Sequence, residues 1–437
     1  MGEKRPFTLF LCVILFLYLL TGPIFLFSFD KENLIQGEKE EPQWQGVITI
    51  WDVPRTTIAG STFGWIKARI SEFEKENPGV YIELRELNYE NNKEIIEKGA
   101  LAEDKNKPDI LPLFVEGEPI PLKNVEPLEK WISQDIIEQL RPEFIQGVTY
   151  RNKIYGMPFA SSGNVLLING DLLQSIGLNL PKNKEWTYEE FINFIEKIEK
   201  AKGKEDIITF DAYIGKGDGS IMPMLLSDGG QIYQQEEQRF AFYQPEMVSG
   251  FQKLLNVKEK ATTHKKFGFR EKNEVYSDFY ENQKTAVLAA DSKVIYTLER
   301  LKKQDKGFSY KVMPFPNGSI DIPIWYSNNL SAYAMMKGED PEKQKVMAKF
   351  LEFLIQGETQ QSLRSLGAFP VNQKVKDLYN QESLVKNWFK IGYEYQTHPL
   401  TPKWGEIEKE IIESIQAVLT GKNTPTQGCK ELQMQLE

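Results

Sequence analysis

Short apolar runs alternate with amphipathic helical patterns in the first part of the folded chain. Apolar runs bounded by turn-forming residues predict strands at residues 47–51, 80–84 and 107–111. Apolar side chains at helical spacing predict helices between these strands, at residues 65–77 and 91–103. Strands and helices that alternate at this spacing predict an α/β fold with a mostly parallel sheet and right-handed crossovers.

The same kinds of signal continue toward the C-terminus. Residues 165–168 are continuously apolar and predict a buried strand. Thr187-Tyr-Glu-Glu190 is a capping box with Trp186 placed as a hydrophobic staple, so a helix is predicted to begin there. Further strands are predicted at 310–314 and 330–335, and further helices at 341–355 and 405–419.

The N-terminal residues 7–29 carry no charge and consist mainly of Leu, Phe and Ile. As a helix they would span about 34 Å, enough for a bilayer core of about 30 Å. Lys4 and Arg5 precede the apolar run, which predicts that the rest of the chain lies outside the cytoplasm. No small-x-small cleavage pattern follows, so we expect a membrane anchor, with a cleaved signal segment as the alternative. Residues 30–43 are polar and predict a tether.

Composition narrows the class of protein. Roughly 390 residues follow the tether, which favours two domains. The formal net charge of −9 argues against a nucleic-acid partner, because phosphate contacts need clustered Lys and Arg. The two cysteines, Cys12 and Cys429, lie in the apolar segment and near the C-terminus, so the folded part is expected to form no internal disulfide.

Signals for catalysis and for bound metal are missing from the sequence. The two histidines, His264 and His398, are far apart and have no Cys, Asp or Glu at ligand spacing. There is no G-x-S-x-G elbow and no phosphate-loop motif, and the glycine-rich residues 215–219 read as a surface turn. We therefore predict a protein that is not an enzyme and uses no cofactor. A pair of carboxylates that hydrolyses a glycoside stays open as an alternative.

Several motifs recur together in one order. Residues 150–158 read YRNKIYGMP, residues 168–172 read INGDL, and residues 186–191 read WTYEEF; FEKENPGV at 73–80, PDI at 108–110 and GAFPV at 367–371 accompany them. This series resembles family 1 of the extracellular solute-binding proteins of ABC importers, a group that includes many sugar binders. The resemblance extends over nearly all of residues 44–425.

The resemblance implies a two-lobe periplasmic-binding-protein fold (type II-like) with a ligand cleft between the lobes. It places lobe one at residues 44–157 plus 290–331, and lobe two at residues 158–289 plus 332–437. It further implies a monomer that captures a small solute, most often a carbohydrate, and passes it to the membrane subunits of an ABC permease. A sensing module that partners a membrane sensor kinase, a degenerate scaffold and a surface carbohydrate hydrolase are the alternative functions.

Candidate ligand contacts follow from the ends of the predicted strands, because open α/β sheets bind ligands beyond the carboxyl ends of their strands and pockets often lie between domains. The residues in these positions are Trp51, Asp52, Arg55, Glu116, Ser162, Asn164, Asp291, Trp325, Asn328 and Trp404. We expect them to supply hydrogen bonds to hydroxyl groups and aromatic surfaces for a sugar ring.

The tryptophans differ in what their surroundings predict. Trp51 fits a sugar-stacking role and a sheet-core role about equally. Trp325 lies in a polar loop before two asparagines, which favours a binding role, and Trp404 fits either a cleft wall or packing at the start of a helix. Arg55 is the one basic residue expected near the cleft, which favours an uncharged ligand over a phosphorylated one.

Overall fold

The described part of the chain begins where the folded domain is predicted to begin. The computed structural model describes residues 44–55, 57, 59–103, 107–234, 237–327, 330–375, 378 and 394–437. The predicted anchor (7–29), the tether (30–43), Cys12 and Asn328 lie outside these residues. Within them, no helix combines the length and the apolar character needed to cross a bilayer.

The first segment, residues 46–160, builds most of a five-stranded sheet. Its strands are β1 (Gly46–Asp52), β2 (Val80–Glu86), β3 (Ile110–Pro112), β4 (Phe114–Val115), β5 (Glu118–Pro119), β6 (Thr149–Tyr150), β7 (Lys153–Ile154) and β8 (Met157–Ala160). Its helices are α1 (Gly64–Glu76), α2 (Asn92–Leu101), α3 (Gln134–Ile137), α4 (Pro142–Gly147) and a 3-10 turn at Leu128–Lys130. β1 pairs in parallel with β2 and β3, which confirms the predicted arrangement of these three strands. The other two pairs of the sheet are antiparallel, so the sheet is mixed rather than mostly parallel.

The second segment, residues 164–313, builds a separate four-stranded sheet. Its strands are β9 (Asn164–Asn169), β10 (Ile208–Ala212), β11 (Tyr233–Gln234), β12 (Arg239–Phe240), β13 (Thr285–Asp291) and β14 (Tyr310–Met313). Its helices are α5 (Gly170–Ser175), α6 (Tyr188–Lys202), α7 (Met222–Leu226), α8 (Pro245–Lys260), α9 (Lys272–Tyr280) and α10 (Val294–Lys303). The sheet has the order β10-β13-β9-β14. Every residue of β9 and β13 is buried, as expected for strands that are covered on both faces.

The start of α6 follows the predicted capping box. The Thr187 hydroxyl accepts a hydrogen bond from the Glu190 N–H at 3.2 Å, and the Glu190 carboxylate accepts one from the Thr187 N–H at 2.9 Å. The Trp186 ring packs against Phe191 with ring centres 5.2 Å apart. Local sequence therefore determines where this helix begins.

The last two segments return to the two sheets in turn. Residues 324–375 contain β15 (Ile324–Ser327), β16 (Ser331–Met335), α11 (Pro341–Phe353), α12 (Gly357–Ser362) and a 3-10 turn at Leu363–Leu366. Residues 394–437 contain β17 (Glu394–Thr397), α13 (Trp404–Leu419) and α14 (Pro425–Leu436). β16 enters the first sheet between β3 and β8. Apolar residues of α13 and α14 join the buried core of the second sheet.

The strand pairing defines two lobes, as predicted, but several of the expected boundaries are wrong, including the one within β8, whose residues 158–160 were expected in lobe two. Lobe one contains the five-stranded sheet and lobe two the four-stranded sheet. α10 and β14 were expected in lobe one, yet β14 pairs with β9 of lobe two over residues 310–313. Glu299 of α10 accepts a hydrogen bond from the Tyr310 hydroxyl of β14 at 2.6 Å, so α10 belongs with lobe two as well. β16 and α11 were expected in lobe two, yet β16 pairs with β3 and β8, and Phe350 of α11 packs against Phe73 of α1.

The elements that the structure describes cross between the lobes three times along the chain. The crossings lie between β8 and β9, between β14 and β16, and between α12 and α13. The first is the shortest, since Ser161, Ser162 and Gly163 alone separate the two strands. Multiple connections of this kind form a hinge about which two lobes can close on a ligand.

Candidate functional site

A cavity of about 340 Å³ lies between the two lobes. Lobe one contributes the loop after β1, the end of β8, the start of β16 and the turn after α12, through Pro54, Arg55, Thr57, Ala160, Ser331, Leu366 and Ala368. Lobe two contributes Lys293 and the first two turns of α10, through Tyr296, Thr297 and Arg300. The volume is in the range of pockets that hold a small organic ligand.

Arg55 is held in the wall of this cavity by a buried carboxylate. Its Nη1 lies 2.5 and 2.6 Å from the two carboxylate oxygens of Asp52, the last residue of β1. The Tyr333 hydroxyl donates a hydrogen bond to Asp52 Oδ2 at 2.7 Å. The guanidinium also lies over the rings of Phe159 and Tyr333, 5.3 and 5.4 Å from their centres. Asp52 thus acts through Arg55 and fixes where that cation points.

These contacts keep Arg55 charged. Burial alone would lower its pKa, but the charge of Asp52 and the neighbouring Tyr333 hydroxyl raise the pKa above its ordinary value. Burial, followed by the charge of Asp52, raises the pKa of Tyr333 well above its usual value, so the hydroxyl stays a hydrogen-bond donor. The cavity therefore contains one permanent, oriented positive charge from lobe one.

One face of α10 forms the opposite wall. Lys293, Tyr296, Thr297 and Arg300 are spaced i, i+3, i+4 and i+7, which places all four on the same side of the helix. Lys293 is exposed to solvent. Partial removal of its ammonium group from bulk water lowers the pKa of Lys293. The charge of Asp291 opposes this shift, and the positive charges of Arg55 and Lys272 add to it. Arg55 and Lys293, on opposite lobes, are close enough for their charges to interact.

Three of the predicted residues come together at the short crossing between β8 and β9. The Ser162 hydroxyl donates to Asp291 Oδ2 at 2.7 Å, and Asp291 Oδ1 accepts from the Lys293 N–H at 2.8 Å. Asn164 pairs with Asp291 across the β9–β13 ladder and donates from Nδ2 to the carbonyl of Gly219 at 2.6 Å. All three side chains are buried. These hydrogen bonds stabilise the segment between β8 and β9 and fix the position of the start of α10.

Trp325 of β15 packs against this crossing and is buried there. Its indole Nε1 donates to the carbonyl of Ser162 at 3.1 Å, and its ring meets Phe369 edge-on with centres 4.9 Å apart. The ring lies directly against Gly163. The expected ligand-stacking role does not match this position, because Trp325 belongs to β15 and its ring is buried against the hinge.

The two remaining tryptophans among the predicted ligand contacts, Trp51 and Trp404, are not among the described residues that line the cavity. Trp51 packs against Gly99 of α2, and the Arg85 guanidinium lies 4.2 Å from the centre of its ring. Trp404 stacks on His398 with ring centres 4.3 Å apart and borders a small cavity of about 30 Å³ inside lobe two. Trp51 thus takes the sheet-packing alternative, and Trp404 the alternative of packing at the start of a helix.

Glu116 marks a contact between the lobes. It lies at the exposed tip of the β4–β5 hairpin with a left-handed backbone (φ 53°). A Cβ on Gly217 of lobe two would lie 2.7 Å from the Glu116 carbonyl oxygen, so the two backbones touch. Beside it, Glu118 pairs with Lys93 at 2.8 Å and with Lys216 of lobe two at 3.6 Å. The hairpin therefore closes one side of the interlobe space.

The structure adds two basic residues that the sequence analysis did not propose, Lys293 and Arg300. The signal was present, because the two residues are seven apart, which is a helical spacing, and both follow Asp291 closely. It was not recognised, since nothing local shows that this face of α10 turns toward the other lobe. Among the residues that the structure describes, no group of three or more His, Cys, Asp or Glu is arranged to hold a metal ion.

Comparisons with known proteins agree with this geometry. A family model described as a bacterial extracellular solute-binding protein matches residues 68–390. The sn-glycerol-3-phosphate-binding periplasmic protein UgpB of Escherichia coli O1:K1 / APEC is 23% identical over 299 residues, 63% of this chain and 64% of that protein, just under two thirds of its length. UgpB of Shigella dysenteriae serotype 1 (strain Sd197) is 22% identical over 389 residues, 81% of this chain and 84% of that protein.

Solved structures show the same fold. The cyclic alpha-maltosyl-1,6-maltose binding protein from Arthrobacter globiformis superposes with a TM-score of 0.74 at 15% identity, covering 90% of this chain and 98% of that chain. The sugar-binding protein MalE from Xanthomonas citri gives a TM-score of 0.71 at 15% identity over 90% and 96%. Maltose-bound MalE3 from T. maritima gives 0.66 at 17% identity over 89% and 98%.

Proposed function

The chain belongs to the bacterial extracellular solute-binding proteins, and on that premise we propose that it captures a small carbohydrate in the interlobe cavity and delivers it to an ABC permease. The observation that supports this most directly is the cavity of about 340 Å³, which both lobes line. The relatives named UgpB and the structural neighbours named MalE are binding proteins, which supports the same proposal.

The proposed mechanism is a shift between open and closed lobes. A solute in the cavity touches Arg55 and Ser331 of lobe one together with Lys293 and Thr297 of lobe two. Such a solute gains contacts on both sides only when the lobes are closed, so its binding favours the closed state. The three crossings supply the hinge, and no covalent bond is made or broken in the solute.

We place the protein on the outer face of the cytoplasmic membrane. Residues 7–29 would anchor it there, or release it if the segment is cleaved, and residues 30–43 would give the folded lobes room to reach the permease. The partner is the pair of permease membrane subunits, and the protein acts as a monomer.

Thermal unfolding of the full chain in detergent, with a panel of sugars and polyols, tests the capture function. A ligand present at about 100 times its Kd should add roughly 2.7 kcal/mol to the free energy of unfolding. Recovery of the same compound unchanged afterwards would exclude the hydrolase alternative. Failure of every compound to stabilise the chain would contradict the capture of a carbohydrate.

A matched pair of variants tests whether the cavity is the site. Thr297→Trp places an indole in the cavity wall on α10, whereas Lys303→Trp places one on an exposed position of the same helix. We expect the first variant to lose the stabilisation by ligand and the second to keep it. Equal stabilisation of both variants would place the binding site elsewhere.

A further inference from the structure

The charged side chains that line the interlobe cavity, among the residues described, are all basic. Its described lining includes three basic residues, Arg55, Lys293 and Arg300, and no acidic residue. The hydroxyls of Thr57, Thr297 and Ser331 line the same space. Every one of these six side chains can donate a hydrogen bond, and the three cations cannot accept one. The wall is therefore built to receive a group that is rich in acceptor oxygens.

The carboxylates nearest to this space are already engaged. Asp52 accepts from Arg55 and from the Tyr333 hydroxyl. Asp291 accepts from the Ser162 hydroxyl and from the backbone N–H of Lys293. Within the described part of the chain, no carboxylate lies within ion-pairing distance of the side chains of Lys293 and Arg300. Two positive charges of lobe two thus face the cavity without a compensating ion pair from those residues.

The cations come from both lobes. Arg55 belongs to lobe one and is fixed by Asp52, whereas Lys293 and Arg300 project from α10 of lobe two. Asp52 and Asp291 offset part of the charge of Arg55 and Lys293, and the positive charge that remains repels across the closing cleft, so it opposes closure when the cleft holds no anion. An anion between them removes this repulsion and adds charge-assisted hydrogen bonds on both sides.

Building on the proposed capture function, we propose that the solute carries a negatively charged group, a phosphate or a carboxylate on a sugar or polyol, bound between Arg55 of one lobe and Lys293 and Arg300 of the other. This reverses the preference for an uncharged ligand that followed from the sequence, where Arg55 was the one basic residue expected in the cleft. The bound anion stabilises the closed state.

Titration calorimetry of the full chain in detergent tests the charge requirement. The probes are sn-glycerol 3-phosphate, glucose 6-phosphate and glucuronate, with glycerol and glucose as their neutral counterparts and inorganic phosphate as the isolated ion. We expect at least one phosphorylated or carboxylated probe to bind at least about tenfold more tightly than its neutral counterpart, as charge-assisted hydrogen bonds allow. Comparing the phosphorylated probes with glucuronate then identifies which anionic group is preferred.

Two cleft variants and one control connect the charge requirement to these residues. Lys293→Gln and Arg300→Gln should each weaken binding of the preferred anionic probe by about tenfold or more. Lys303→Gln removes a charge from the exposed end of the same helix and should leave the affinity within about twofold at 0.15 M salt. All three positions are exposed or border the cavity, so the folded state should survive, which a thermal scan checks.

The outcomes separate this inference from the capture function. Tighter binding of a neutral sugar, with affinities unaffected by Lys293→Gln and Arg300→Gln, would overturn the anionic site and leave solute capture standing. An equal loss of affinity in Lys303→Gln would show a general effect of net charge and would also overturn the site. Binding of none of the probes would overturn the capture function, and the anionic site with it.

Discussion

The indole of Trp325 lies on Gly163 so closely that a Cβ at residue 163 would be 1.4 Å from Trp325 Nε1. This contact joins two of the three crossings between the lobes, because Gly163 lies between β8 and β9 and Trp325 lies between β14 and β16. The hinge segments are therefore packed against each other, and movement at one crossing requires the other to move with it.

Gly163→Ala should destabilise the protein because the added methyl group cannot fit beside the indole. We expect a loss of about 1 to 3 kcal/mol in the free energy of unfolding, the usual cost of overpacking, measured by urea denaturation. Gly357→Ala is the control, since a Cβ at the start of α12 has no heavy atom within 4 Å. Equal stability of the two variants would contradict the close packing at the hinge.

Asp52→Asn should destabilise the protein by leaving the cation of Arg55 partly uncompensated. We expect a loss of about 2 to 3 kcal/mol, less than for a fully buried pair because the Arg55 side chain keeps 19% of its exposure. Glu72→Gln is a matched control, because Glu72 pairs with Arg69 at the same i, i+3 spacing but is 46% exposed. It should cost about 0 to 1 kcal/mol. Similar losses in both variants would show that Asp52 has no special role.

Glu408 should make the free energy of unfolding fall as the pH rises. Burial raises the pKa of Glu408 from its usual 4.5 to about 7, although the Gly217 N–H donates to its carboxylate. The folded state therefore favours the protonated acid, and this contribution is lost as the pH rises from about 4.5 through 7. Glu408→Gln mimics the protonated form. The difference in unfolding free energy between the variant and the natural chain should grow by about 3 kcal/mol over this interval.

The measurement is chemical denaturation of both proteins at several pH values. Their difference is informative because the other titrating groups cancel. A difference that stays constant between pH 4.5 and 7 would show that Glu408 is ionised in the fold throughout this range.

His398 should make the free energy of unfolding fall as the pH falls, which is opposite to the effect of Glu408. Burial lowers its pKa from 6.5 to about 4, because the ring is enclosed between Phe114 and Trp404. The neutral ring is favoured in the fold, so its contribution is present above about pH 6.5 and is lost as the pH falls through 4. His398→Phe keeps an aromatic ring on Trp404 and should reduce the acid sensitivity by about 3 kcal/mol. Identical acid transitions of the two proteins, followed by tryptophan fluorescence, would contradict this assignment.

Local elements of the fold could be predicted from the sequence because their signals are local. The capping box at Thr187 determines the start of α6 through hydrogen bonds between residues three apart. Pro78-Gly79 ends α1 and precedes β2. The lobe membership of β14 and β16 could not be predicted in this way, because it depends on pairing with strands more than 100 residues away in sequence.

The residues of the candidate site likewise fall into those that local sequence could predict and those that depend on distant contacts. Arg55 was found because it follows the end of β1, where ligands of α/β proteins commonly bind. Lys293 and Arg300 were missed because their role depends on which way α10 faces, and that is decided by the lobe arrangement. Trp325 was expected in a ligand site because its neighbours are polar, but contacts with Gly163 and Phe369, distant in sequence, bury it in the hinge.

The position of β16 also bears on how the protein can fold as it is made and exported. β16 lies between β3 and β8 in the first sheet, but it is formed by residues 331–335, long after both neighbours. During synthesis from the N-terminus, β3 and β8 are therefore made early. The strand that joins them is made only after all four strands of the second sheet. Pairing across such a long interval is slow. The first sheet should thus be completed only late in synthesis, and until then the nascent chain has an incomplete first lobe.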